Sequence, residues 1–301
     1  MNLILIALLA FQGQQEPQQL KLDRIPDEGS VHLKWNSQKG TTFRYETRTT
    51  MKASGMEIEA LVGQAKKVLE VDKNGTAILE ITIDRFRMSM SDVANGEYFF
   101  EYDSKVDVGE PGDAMSKVMA AFVGASYREK VSARGESLEI TGIREMTRKM
   151  KEGLDEDLRE EIRQMGKDPF EGPMENLKNR WNIHLPVETV SPGESWKAST
   201  TQTLPPFGEL EMKELYTLTE IRNDGGKEAV IKYQTEVSLK SVGDGKLELG
   251  NCGGTGMIIW DLERGRLQSY KLDLQMEMSM RGEKHTIIGT YEIKLVPSED
   301  R

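Results

Sequence analysis

The side chains of this 301-residue chain with most to offer chemically are three histidines, His32, His184 and His285, and a single cysteine, Cys252. A protein zinc site draws His, Cys or acidic ligands at close spacing, as in HExxH or paired CxxC, and no histidine here sits in such a pattern. His184 lies in Trp181-Asn182-Ile183-His184-Leu185-Pro186, which reads as packing ahead of a proline-ended segment. Cys252 belongs to Gly250-Asn251-Cys252-Gly253-Gly254-Thr255-Gly256. Glycines cradle a phosphate when they open a helix, because the first backbone N–H groups then point at the anion. Here Met257-Ile258-Ile259-Trp260 follows, a strand, so a β-turn or bulge is expected. A nucleophilic cysteine needs a base beside it, and no histidine is near Cys252 in sequence. Gly193-Glu194-Ser195-Trp196-Lys197 lacks the second glycine of a nucleophile elbow. Asp155-Glu156-Asp157 lacks the alternating ligands, central glycine and closing Glu of a calcium loop. The sequence thus names no catalytic residue, no metal ligand and no cofactor.

The elements that would position a site are mostly strands. Val71-Asp72-Lys73-Asn74-Gly75-Thr76 separates two apolar-alternating runs, and Asn-Gly tolerates positive φ, so a hairpin is predicted there. A second one is predicted at Arg222-Asn223-Asp224-Gly225-Gly226. From Lys271 to Arg281, Leu272, Leu274, Met276, Met278 and Met280 alternate strictly with polar residues. That period of two marks a strand with one face buried and one in water, as in an antiparallel sheet. Its length points to a long, curved sheet. The stretch through Ile81 and Ile83 to Phe86, Met88 and Met90 slips in phase at Asp84-Arg85, which predicts a bulge.

Several segments recur in order. Gly40-Thr41-Thr42-Phe43 is echoed by Gly193-Glu194-Ser195-Trp196, and Arg134-Gly135 by Arg264-Gly265. A weak internal duplication follows. Helices are few. Met115, Val118, Met119 and Phe122 form one short amphipathic stripe. Ile143, Met146, Met150, Leu154, Leu158, Ile162 and Met165 form a longer one, which Gly153 divides and Gly166 with Pro169 ends. Its polar face mixes both charge signs, which fits a solvated helix across a sheet rather than one lying on a membrane.

The expected architecture is α+β and β-rich, with long curved antiparallel sheet in two related halves and a central helical segment. Residues 1–13 read as a signal peptide, 14–30 as a linker, 31–141 and 181–297 as the two β-rich halves, and 142–180 as a helical connector. The export reading rests on the apolar run Leu3 to Phe11, too short to span a bilayer, followed by a Gln/Pro stretch. It places the mature chain in the periplasm or outside the cell, without a transmembrane segment. A net charge of -10 argues against nucleic acid as a partner.

Sixteen methionines against eight phenylalanines are the remaining oddity. Methionine is flexible and adapts to varied apolar partners. A concave sheet face lined by Phe86, Met88, Met90, Met276, Met278 and Met280 would suit an apolar ligand, lipid included. The expected partners are an apolar small molecule or an envelope protein, in a protein that is not an enzyme. Two other readings stand beside it: a hydrolase whose residues meet only in three dimensions, and a scaffolding module of the envelope.

Gly40-x-x-Phe43-x-Tyr45, Val71-Asp72-x-Asn74-Gly75, Glu101-Tyr102-Asp103-Ser104, Pro192-Gly193-Glu194-Ser195-Trp196 and Trp260-Asp261-Leu262-Glu263-x-Gly265 together resemble an uncharacterised family of exported bacterial proteins of planctomycete type. The resemblance covers most of the mature chain and implies export and a β-rich fold. Because that family has no assigned activity, it supplies no catalytic residue. At the level of architecture, the pattern is similar to curved-sheet carriers of lipids and lipoproteins in the bacterial envelope, an analogy of fold only.

Overall fold

A computed structural model of the chain describes residues 29–107, 114–154, 156, 159–160, 183–204, 208–223, 226–243, 247–280 and 282–297. The expected signal peptide, nearly all of the linker, and most of the connector beyond Leu154, with Leu158, Ile162, Met165 and residues 168–180, lie outside them.

Alternating apolar and polar residues produce strands β1 (Thr42–Ala53), β2 (Met56–Val71), β3 (Ala77–Asp92), β4 (Tyr98–Asp103), β5 (Ser126–Val131) and β6 (Ser137–Thr141) in the first half. The second half holds β7 (Ser195–Leu204), β8 (Gly208–Arg222), β9 (Glu228–Val242), β10 (Leu247–Asp261), β11 (Arg266–Met280) and β12 (Glu283–Val296). All twelve join one antiparallel sheet in the order β6-β5-β3-β2-β1-β12-β11-β10-β9-β8-β7, with β4 also on β3. The fold is the expected β-rich one, and the halves fuse where β1 pairs with β12. Among the described residues two helices accompany the sheet, α1 (Ala114–Ala120) and α2 (Ile143–Glu152), the latter ending at Gly153 as the stripe implied.

Both predicted hairpins form. In the first, Asp72 Oδ1 accepts the N–H groups of Asn74 and Thr76, and only Gly75 takes positive φ, at 81°. The predicted bulge is also present: Gly63 pairs with Arg85 and Gln64 with Ile83, so Asp84 is the extra residue. The glycine-rich stretch contains no turn. It lies within β10, with a register shift between Leu249 and Cys252. A side chain at Gly256 would strike the Lys271 carbonyl of the neighbouring strand.

The two halves repeat in detail. Gly40 donates to Val68 O at 2.9 Å and Val68 to Thr41 O at 2.9 Å; Gly193 donates to Leu218 O at 2.7 Å and Leu218 to Glu194 O at 3.0 Å. Both glycines have positive φ, 85° and 93°. Register shifts follow at Val68/Glu70 and at Leu218/Glu220. Strands β1-β2-β3-β5-β6 therefore match β7-β8-β9-β10-β11 in order.

The sheet curls. Trp35 N–H donates to Ala133 O in the β5–β6 turn, and Asn36 N–H to Gly265 O in the β10–β11 turn, both at 2.8 Å. On a flat sheet β5 and β11 stand five strand steps apart, about 24 Å at about 4.8 Å per strand. Successive Cα atoms are only about 3.8 Å apart, so the sheet must wrap around the 31–36 segment. Val31 also pairs with Val190, ahead of β7. Leu33, Leu185 and Val190 are buried, and Trp35 packs on Phe43 and Trp260 at 6.1 and 5.7 Å between rings. These segments fill one end of the curl. In the first half the interior face takes Val118 of α1 and Met146 and Met150 of α2, all in the core.

Candidate functional site

Residues paired across neighbouring strands project to the same face, so the register assigns the interior lining row by row. One row runs Ala198, Glu214, Thr235, Gly254, Leu274, Gly289, Met51, Ile58, Met90. The next runs Trp196, Tyr216, Tyr233, Gly256, Leu272, Tyr291, Thr49, Ala60, Met88. The third ends on Phe86, opposite Val62. Met276 and Met278 alternate with Leu274 on β11 and are buried. Met280 ends β11, and its side chain is outside the described residues. Phe86, Met88 and Met90 are half-buried, with the Phe122 ring stacked on Phe86 at 5.8 Å. The six residues singled out by sequence therefore form no single patch. Five of them line one interior face in two groups, and four strand steps separate Met90 from Leu274 beside Met276.

Between Trp196 and Tyr291 an aromatic ladder crosses the sheet. Ring centroids step from Trp196 to Tyr216 (5.4 Å), Tyr233 (5.0 Å), Tyr270 (5.9 Å) and Tyr291 (5.9 Å). Gly256 sits between Tyr233 and β11 in this register and adds no side chain. Beside the ladder lies a buried acid. Glu214 is 6% exposed, and its carboxyl accepts the Tyr216 hydroxyl at 3.0 Å and the Tyr233 hydroxyl at 2.8 Å. His184 Nε2 stands 3.5 Å from Glu214 Oε2. Trp196 Nε1 donates to the His184 carbonyl at 2.6 Å, which ties the segment ahead of β7 down over the ladder.

Burial controls the ionisation of this cluster. It pushes the Glu214 carboxyl up to about 7, against the pull of the two phenol hydrogen bonds. Burial also pushes the His184 imidazole down to about 4, with Glu136 opposing and Arg134 assisting. The phenols of Tyr216, Tyr233 and Tyr270 are raised by burial first and by Glu214 among their neighbours. At intermediate pH the pair therefore sits inside the sheet as a neutral acid beside a neutral imidazole. His184 Nδ1 and Thr200 Oγ1 are buried and have no hydrogen-bond partner among the described residues.

The sequence reading passed over Glu214, though one signal was present. In Leu210, Met212, Glu214, Tyr216, Leu218 the acid occupies an inward position of an otherwise apolar-and-aromatic stripe. His184 was read as packing, and it is buried; its acidic neighbour comes from thirty residues further along and only tertiary structure supplies it. The other histidines are apart. His32 is exposed. His285 Nδ1 lies 3.3 Å from Ser54 Oγ, and its Nε2 lies 3.9 Å from the exposed Glu283 carboxylate. Cys252 donates to Glu277 O at 3.1 Å, and burial raises its thiol, so it is held away from thiolate chemistry.

A model of a family of unknown function, DUF6263, matches residues 74–290. No curated protein matches the chain.

Proposed function

The chain belongs to DUF6263, a family of unknown function, and from that starting point we propose that it is an exported, non-enzymatic binding protein that holds an apolar molecule of lipid size against the interior face of its sheet. One observation carries this reading. The interior rows pass through Phe86, Met88 and Met90 of β3, apolar side chains left half-buried beside Phe100 and Tyr102 of β4. Unbranched methionines adapt to a chain-like guest at small cost. Export is supported by the apolar run Leu3 to Phe11 and the Gln/Pro stretch behind it.

Native mass spectrometry of the protein purified from its own envelope, with solvent extraction of the same sample, tests both parts. A stoichiometric lipid-sized adduct on a chain lacking about its first 13 residues is the expected result. A clean apo mass in every preparation would overturn the ligand, and an intact Met1 in the purified chain would overturn export.

One observation favours a hydrolase instead. Ser54, at φ 51°, His285 and Glu283 align at the adjoining β1–β2 and β11–β12 turns. Labelling of Ser54 by a fluorophosphonate, abolished by His285→Ala, would establish that reading; no labelling would remove it.

A further inference from the structure

The repeat makes the Glu214 cluster interpretable. Val68 corresponds to Leu218 through the shared hydrogen bonds and bulges, so Gln64 corresponds to Glu214 and Lys66 to Tyr216. Gln64 pairs with Ile83 as Glu214 pairs with Thr235, so Ile83 corresponds to Thr235 and Ile81 to Tyr233. The first half thus fills this position with a buried neutral amide, and the frame does not require an acid there. The second half replaces the amide, the lysine and the two isoleucines with a carboxyl, two phenols and a threonine, under the imidazole of His184. Among the described residues no lysine or arginine pairs with Glu214; its only ionisable partner of opposite sign is His184, which burial holds neutral. Tyr216 and Tyr233 turn their hydroxyls toward it, and the Trp196 and Tyr216 rings stack on one another beside them. Thr200 lies one pair along β7 from Ala198, the cross-strand partner of Glu214, and its hydroxyl and His184 Nδ1 remain unfilled. From Glu214 the same row leads through Thr235, Gly254, Leu274, Gly289, Met51 and Ile58 to Met90.

We propose that the polar end of the bound molecule is an ammonium group seated at Glu214 beside the two phenols, with its apolar chain running along the row toward Met90, so that the ligand class is a long-chain amine. This rests on the apolar-ligand reading above and sharpens it. The ammonium would supply the cation that the carboxylate lacks. Thr200 and His184 Nδ1 would take its remaining hydrogen bonds. The charged and titratable groups facing the seat are His184, Tyr216, Tyr233 and Tyr270, with Glu136 and Arg134 acting on His184 from the β5–β6 turn.

The test is calorimetric titration of the full chain with dodecylamine, dodecanol and dodecanoate below their micellar concentrations. At pH 8 dodecylamine should bind at least about tenfold tighter than dodecanol, the scale of one charge-assisted contact. Glu214→Gln should erase that gap. In the wild-type chain the gap should narrow on going to pH 5, where Glu214 is protonated while the amine stays charged. This second measurement decides the matter even if the variant fails to fold. Equal binding of amine and alcohol, or a preference that survives Glu214→Gln, would overturn the ammonium seat and leave the apolar reading standing. If none of the three binds, the apolar reading falls with it.

Discussion

Gln64 and Glu214 hold the same place in the two halves, and what surrounds them differs. Around Gln64 stand Tyr45 and Ile83, with Lys66 two residues on and stacked over the Tyr45 ring at 5.3 Å. Around Glu214 stand Ala198 and Thr235, two phenols and an imidazole. The interior of the first half is closed by helices, through Val118, Met146 and Met150, and ion pairs lie on the other face of its sheet. Arg44 binds Asp84 at 2.8 Å, and Arg85 binds Asp103 at 3.1 Å beside the bulge. The second half keeps an acid inside with no such cation. One strand frame thus serves two purposes. A neutral filling makes a core, and an ionisable one makes a place whose charge depends on pH and on what binds.

Removing the helical filling should have the largest effect. Met150→Ala, at a side chain 3% exposed, should cost about 2–5 kcal/mol in denaturant unfolding. The ligand mass carried by the protein should not change. Because β1 and β12 join the halves, unfolding should remain one cooperative transition; two separated transitions would show that the halves are independent.

Exchanging the paired residues should be asymmetric. Gln64→Glu buries a carboxyl without the two phenols, and should lower stability at neutral pH by about 3 kcal/mol, with recovery on acidification. Glu214→Gln reproduces the residue of the first half and should stay within about 1 kcal/mol of wild type near pH 6. Equal losses from both swaps would show that the repeat does not equate the two positions.

The pH profile separates the members of the buried pair. Glu214 is raised from an ordinary value of 4.5 to about 7, so between those values the unfolded chain holds fewer protons and stability falls as pH rises. His184 is lowered from 6.5 to about 4, so between those values the unfolded chain holds more protons and stability rises with pH. Each limb is worth about 3 kcal/mol, and they offset one another between 4.5 and 6.5. Thermal melts should therefore show Glu214→Gln gaining stability with pH across that window relative to wild type, and His184→Gln losing it. A Glu214→Gln profile parallel to wild type would contradict the raised carboxyl.

The smallest effect tests the repeat itself. Gly40→Ala and Gly193→Ala meet no atom within 4 Å, so each should cost only the strain of positive φ, about 1–2 kcal/mol. The two costs should agree in chemical melts, and a clear inequality would show that the loops bear different loads.

Local chemistry determined much of this protein. The strict alternation from Lys271 specified β11, the Asp72-to-Thr76 run specified a hairpin, and the phase slip at Asp84 specified a bulge, because each depends only on neighbours in the chain. The recurrence of Gly40 with Phe43 and Gly193 with Trp196 was readable for the same reason. The interior face was legible as a methionine-rich stripe but not as an arrangement. Strand order set Met90 and Met276 four strand steps apart, since strand pairing over long separations leaves no mark in local pattern. The Glu214 cluster was decided wholly by tertiary structure. Glu214 stood as a charged residue in an otherwise apolar-and-aromatic stripe, yet its meaning depended on Tyr233 from the next strand and His184 from a distant segment. Only the curl of the sheet excludes water from all three at once, and water exclusion is what moves their protons.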